Sequence, residues 1–275
     1  VVEANGRPLT PGLFGGITGL GVVEVSLEQS TVDYAPPQVG EGHGAATEPH
    51  PEFDVTLAFN PDSAVIGVKR ADGVTYAMVA PGARPGAAVV SGQGAVARLD
   101  GRADAFAPQS RTLFADLGVG APAAGVGRAA QFMLLEQAVR EARPTPQMRD
   151  ADFRLLTPAG REVLARYLGG GRIVFGVDRA SDIRQVLAFA QRHGARPVIA
   201  GGAQAWQVAG LLAQAKVPVI LDPLVNLPGS FDQLGASLEN AARLHRAGVR
   251  IAFTYFNDGT HNARKLRQAA GIAVA

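Results

Sequence analysis

RIVFGVDRASDIRQVLAFAQRHGARPVIAG, residues 172–201, decides the fold class. Arg172–Val177 is a short apolar run rich in β-branched residues, the pattern of a strand buried on both faces. Ser181 follows as a helix cap, and Ile183, Val186, Leu187 and Ala190 then recur at the spacing of one helical face. Gly194 closes that helix, and Arg196–Gly201 (RPVIAG) is the next strand. A strand, a helix and a strand joined by short links form one parallel β-α-β unit.

Working outward, the unit repeats. Val208, Leu211, Leu212 and Ala215 predict a helix, Val217–Asp222 (VPVILD) a third strand and Phe231–Ala247 a third helix, with Leu234, Leu238 and Ala241 on its core face. Val249–Thr254 (VRIAFT) is a fourth strand, and a fourth helix starts at His261. Toward the N-terminus the pattern is looser. Leu20–Val25, Val74–Ala80 and Ala95–Leu99 read as strands and Phe53–Phe59 is ambiguous. Asn60-Pro61 predicts a helix start, and Gly125–Ala142 and Thr157–Leu168 read as helices. Residues 35–52 are rich in Pro, Gly and His without periodicity, which predicts a long loop. Roughly eight strands in a chain of 275 residues predict an α/β fold, a (β/α)8 TIM-like barrel of parallel strands. An open doubly wound sheet is the alternative. It would call for a phosphate loop, and Gly15-Gly16-Ile17-Thr18-Gly19 lacks the spacing of one.

Composition excludes several function classes. The chain has no cysteine, which removes disulfides, thiolate metal sites and cysteine nucleophiles. The net charge is only +2 and the arginines are scattered, so no basic face for nucleic acid is expected. The longest apolar runs are interrupted well before the roughly 20 residues of a membrane span, so no membrane partner is expected. The chain starts at Val1 and ends within an apolar run, Gly271–Ala275, and reads as a fragment or processed form. That leaves localisation open: soluble, and periplasmic or secreted if a signal segment preceded Val1.

Barrel chemistry sits at the C-terminal ends of the strands. Those ends supply Arg98, Asp178, Arg179, Gln204, Asp222, Tyr255 and Asp258 as candidates, with His261 close behind. Arg98, Asp178, Arg179, Gln204 and Tyr255 are candidate ligand-binding residues, and Asp258, His261 and Asp222 are the candidates for catalysis. Each has a structural alternative: a helix-start carboxylate for Asp178, a turn cap for Asp222, a salt bridge for Arg98, a capped helix start for Tyr255, Asp258 and His261. Trp206 reads as helix packing. None of the five histidines falls at a strand end; His193 and His245 sit near helix C-termini, and His43 and His50 flank the loop.

Several motifs together resemble the amidohydrolase superfamily, in particular its imidazolonepropionase-like members. Thr10–Leu13 (TPGL) leading into Phe14–Gly21 (FGGITGLG) is similar to the family's opening turn and first strand, and Gly73-Val74-Thr75 to its second strand. Asp182-Ile183, Pro218–Pro223 and Asn262–Ala275 (NARKLRQAAGIAVA) resemble its later barrel. The resemblance implies a catalytic metal. It also implies that its ligand positions hold Ile17 and Gly19 in place of a His-x-His pair, and Gly176 and Gly201 in place of two further histidines. The eighth-strand aspartate falls near Tyr255, and Arg98 is the nearest match to a middle-strand lysine. Residues 1–12 would be a remnant of the family's β-sandwich and lead-in, most of that domain being absent, and 13–275 the barrel. The expectation is an amidohydrolase-like barrel with no metal and no cofactor. It would be non-catalytic, binding a small ligand or pairing with itself or an active relative. The alternative is a zinc-dependent hydrolase of amide or cyclic amide C–N bonds, with unorthodox ligands drawn from Asp178, Asp222, Asp258, His261 and the loop.

Overall fold

A computed structural model describes residues 3, 5–7, 9–35, 49–82, 89–118, 127–149, 153, 155–256 and 259–274. Eight strands follow one another in sheet order: β1 (Leu13–Thr18), β2 (Val74–Val79), β3 (Val90–Arg98), β4 (Thr112–Asp116), β5 (Arg172–Val177), β6 (Arg196–Gly201), β7 (Val219–Leu221) and β8 (Ile251–Phe253). β1 meets the β8 end through side-chain bonding: the Ile17 amide donates to Thr254 Oγ1 at 2.9 Å, and Thr254 is fully buried. The sheet is thus a nearly closed barrel. Helices α1 (Ala64–Ala71), α2 (Arg128–Ala142), α3 (Pro158–Leu168), α4 (Ala180–His193), α5 (Ala209–Gln214) and α6 (Asn240–Arg246) lie between the strands, and α7 (Gly259–Asn262) and α8 (Leu266–Val274) follow β8.

The strands are not all parallel. β3 runs antiparallel to both β2 and β4, while the other neighbouring pairs are parallel. The link 80–89 is shorter than the crossover of about a dozen residues or more, usually helical, that a parallel return needs, and the link 99–111 barely reaches that length and forms no helix. Short links therefore favour hairpin-like returns. The reversal carries Arg98 to the rim where β2 begins and brings the start of β3 beside the end of β4 (Val90 opposite Ala115).

The second half follows the sequence closely. β5 and β6 have the expected bounds, and Ile183 and Val186 of α4 are fully buried against Phe175 and Ile199 in the main core. Gly194 ends α4 in the left-handed region (φ 74°), where a side chain would be strained. The cap is Arg179, not Ser181, because the helix starts two residues earlier than that cap implies, at Ala180. Inside the barrel, Ala80, Phe114, Val174 and Ala200 form a small apolar layer.

Other expectations are corrected. The first strand is Leu13–Thr18, not Leu20–Val25, whose stretch is a turn with one bridge, Val23 to Val32. Asn60 starts a turn, accepting from the Asp62 amide, and α1 begins only after Ser63. Phe231–Ala247 is not one helix but a short 3-10 turn (Phe231–Gln233) and α6, and Leu234 and Leu238 face outward. Most of the 35–52 loop, His43 included, lies outside the described residues. No helix among the described residues is long and apolar enough to cross a membrane.

Candidate functional site

The C-terminal rim of the barrel opens into two adjoining cavities. The larger, about 620 Å³, is walled by apolar and aromatic side chains, among them Ile17, Tyr34, Phe114 and Tyr255. The smaller, about 230 Å³, is lined by Asp116, Asp178, Asp222, Asp232, Gln233 and Phe256. Asp116, Gly176, Ala200 and Phe256 belong to both walls, so the two are lobes of one site.

Asp116 is the last residue of β4 and stands between the lobes. Because β3 is reversed, Ser91 at its start lies alongside, and the Ser91 hydroxyl donates to Asp116 Oδ2 at 3.1 Å. Burial pushes the Asp116 carboxyl up to about 6, with the Ser91 hydrogen bond offsetting part of the rise. Its other oxygen lies against Gly176, where any Cβ would overlap it. Gly201 is similar: a Cβ there would come to 2.7 Å from Asp178 Oδ1, and its φ of 90° also disfavours a side chain. The two glycines leave the space that neighbouring carboxylates fill.

The remaining carboxylates are held by the protein's own donors. Asp178 Oδ1 accepts from the Ala203 amide at 3.1 Å and Oδ2 from Gln233 Nε2 at 2.9 Å. Asp222, buried at the end of β7, accepts from the amides of Leu224 and Phe256, each at 3.0 Å, and so ties the residues after β7 to those after β8. Asp232 pairs with Arg128, whose Nε also donates to Asp182 Oδ2 at 2.9 Å. This trio of two buried aspartates and a half-buried arginine fixes the 3-10 turn at 231–233 onto the starts of α2 and α4.

The sequence-predicted candidates separate. Asp178, Asp222 and Tyr255 line the cavities. Gln204 stands behind them, accepting from the Ala180 amide and donating to the Asp232 carbonyl. Arg179 occupies the cap position of α4 and is not part of the cavity wall. Arg98 is on the far rim, half-exposed, bound to Asp100 at 2.9 Å and to the Asp104 carbonyl at 2.8 Å; the reversal of β3 removes it from the mouth. His261 lies on α7, outside the cavity wall, with its carbonyl accepting from the buried Lys69 ammonium at 2.6 Å. Asp258 lies outside the described residues. Trp206 packs structurally, its Nε1 donating to the Gly235 carbonyl and its ring under Arg243. Among the described residues no three His, Asp or Glu side chains are grouped as a metal set would be. Asp116 was missed by sequence reasoning, although Thr112–Asp116 (TLFAD) has the same apolar-run-then-aspartate form as VPVILD.

A scan against protein-family models and a search of curated proteins give no match. Among solved structures, the chain is similar to the crystal structure of an amidohydrolase from Thermotoga maritima MSB8. The TM-score is 0.79 at 21% identity, covering 96% of this chain and 70% of that one. At that identity the likeness shows the fold alone: an α/β barrel shared with that structure along nearly the whole of this chain.

Proposed function

We propose that this amidohydrolase-like barrel is a non-catalytic, metal-free member of its superfamily that binds a small ligand at its mouth. One observation supports the proposal: among the described residues no three His, Asp or Glu side chains are grouped as a metal set would be. Zinc takes three or four N, O or S side-chain ligands. Ile17, Gly19, Gly176 and Gly201 offer none, and Asp178 and Asp222 already accept two hydrogen bonds each from the protein. Metal analysis by mass spectrometry of protein purified without chelators should find far less than one equivalent of zinc or manganese. A near-stoichiometric metal would overturn the proposal in favour of the C–N hydrolase, which would in turn require amide or lactam hydrolysis that a chelator abolishes.

A second reading, assembly with another copy or with a related barrel, is favoured by one surface. Leu227, Phe231, Leu234 and Leu238 on the segment after β7 are all largely exposed, and exposed apolar clusters of this kind mark interfaces. Sedimentation velocity should show a species larger than the monomer that a Phe231→Ser, Leu234→Ser variant dissociates. A monomer at tens of micromolar would exclude self-assembly.

A further inference from the structure

Resting on the ligand-binding barrel proposed above, we propose that its ligand is a small organic amine, with the protonated nitrogen on the Asp116 carboxylate and the apolar body in the larger lobe. The charges at the mouth have one sign. The described residues lining the two lobes include four aspartates and no Lys, Arg or His. Three of the four are matched: Asp232 by Arg128, Asp178 by the Ala203 amide and Gln233, Asp222 by the Leu224 and Phe256 amides.

Asp116 is different. Its Oδ2 accepts from Ser91, while its Oδ1 has no donor among the described residues and lies beside Gly176, in the wall that both lobes share. A carboxylate set back in a cavity wall with one weak partner is costly to keep ionised, and a charge-assisted N–H donor is the group that would satisfy it. An ammonium supplies three such donors, so one can meet Asp116 while the others face the smaller lobe.

The adjoining lobe selects the rest of the ligand. Tyr34, Phe114 and Tyr255, with Ile17, give it an apolar and aromatic wall, suited to a hydrocarbon body and favourable to a cation near the ring faces. An anionic ligand would face the four carboxylates. A neutral one would leave the Asp116 charge uncompensated.

Benzylamine, benzyl alcohol and benzoate have nearly the same shape and differ in charge. Calorimetric titration at pH 8 should give benzylamine at least tenfold tighter binding than benzyl alcohol, with benzoate weakest. At pH 5, where Asp116 is protonated, the preference for the amine should shrink to about twofold. The other titratable groups facing the site are Asp178, Asp222, Asp232, Tyr34 and Tyr255. The three aspartates are held in hydrogen bonds and an ion pair with the protein's own donors. Asp116→Asn should remove the preference at pH 8 with the circular dichroism unchanged. Equal binding of amine and alcohol by the natural protein, or an undiminished preference in Asp116→Asn, would overturn the assignment. Should that variant fail to fold, the two-pH comparison on the natural protein decides alone. Metal content is measured on the same preparation. An amine preference in metal-loaded protein would sink the metal-free barrel and keep this assignment, whereas no preference in metal-free protein would sink this assignment only.

Discussion

A Cβ on residue 176 would overlap Asp116 Oδ1, so the glycine and the aspartate form one unit. Gly176→Ala should cost about 1–3 kcal/mol of stability through overpacking, and most of that cost should disappear in an Asp116→Ala background. Urea unfolding of the four proteins in the cycle checks this; equal costs in both backgrounds would mean that the two residues do not compete for space. The Asp116 titration gives a second expectation. Its carboxyl is raised from 3.8 to about 6 in the folded protein, so between those pH values the native state binds more protons than the unfolded chain. Stability is therefore greatest below the unfolded value and falls as pH rises through 6, by up to about 1.4 kcal/mol per pH unit. Asp116→Asn, which cannot ionise, should be more stable than the natural protein above pH 7, on the order of 2–3 kcal/mol, and no more stable below pH 4. A difference independent of pH would contradict a carboxylate that ionises with a raised pKa. A site residue that lowers stability in the working pH range is consistent with one kept for binding.

At the scale of elements, connection length and buried caps decide what hydrophobic spacing cannot. The run at 90–99 reads as a strand, but its direction is set by the short links on either side, and that direction takes Arg98 away from the mouth and brings Ser91 to it. The segment 231–247 has helical spacing at Leu234 and Leu238, yet those residues are exposed and the helix starts only at Asn240. What holds the preceding turn is an ion pair between Asp232 and Arg128, more than a hundred residues away in the chain, which no local pattern encodes. Glu141 plays a similar part for α2 and α3. It is fully buried, and its two oxygens accept from the amides of Leu155 and Leu156 at 2.8–3.1 Å, anchoring the link between the two helices. Glu141→Ala should cost about 2–4 kcal/mol, because one buried and one part-buried amide lose their acceptor. Hydrogen exchange should accelerate at Leu155 and Leu156 before it does in β5; unchanged protection there would show that other contacts hold the link.

For the whole molecule, closure of the barrel rests on a side chain. Thr254 Oγ1 receives the Ile17 amide at 2.9 Å, and Thr260 Oγ1 receives the Gly19 amide at 3.0 Å. The first strand is thereby joined to the last without a regular ladder between them. Thr254→Val preserves the volume but leaves the Ile17 amide unpaired, and should cost about 1–3 kcal/mol. Because Ile17 lines the larger lobe, the same substitution should weaken benzylamine binding, read by calorimetry. Loss of stability with unchanged binding would place the seam outside the site.

The sequence alone determined the alternation of strands and helices from Arg172 onward, the presence of α3 and the apolar face of α4. It also set the two glycines at 176 and 201, because periodicity, caps and chain breaks are local and are written in neighbouring residues. It ranked polar residues by their place after a strand, and that was enough to bring Asp178, Asp222 and Tyr255 to the mouth. Tertiary structure decided the rest: the reversal of β3, the removal of Arg98 and His261 from the cavity, and the choice of Asp116 as the carboxylate with an open oxygen. Those outcomes depend on which strand lies beside which and on whether a distant amide or guanidinium reaches a carboxylate first. Such encounters arise only when the barrel closes, and no spacing along the chain records them.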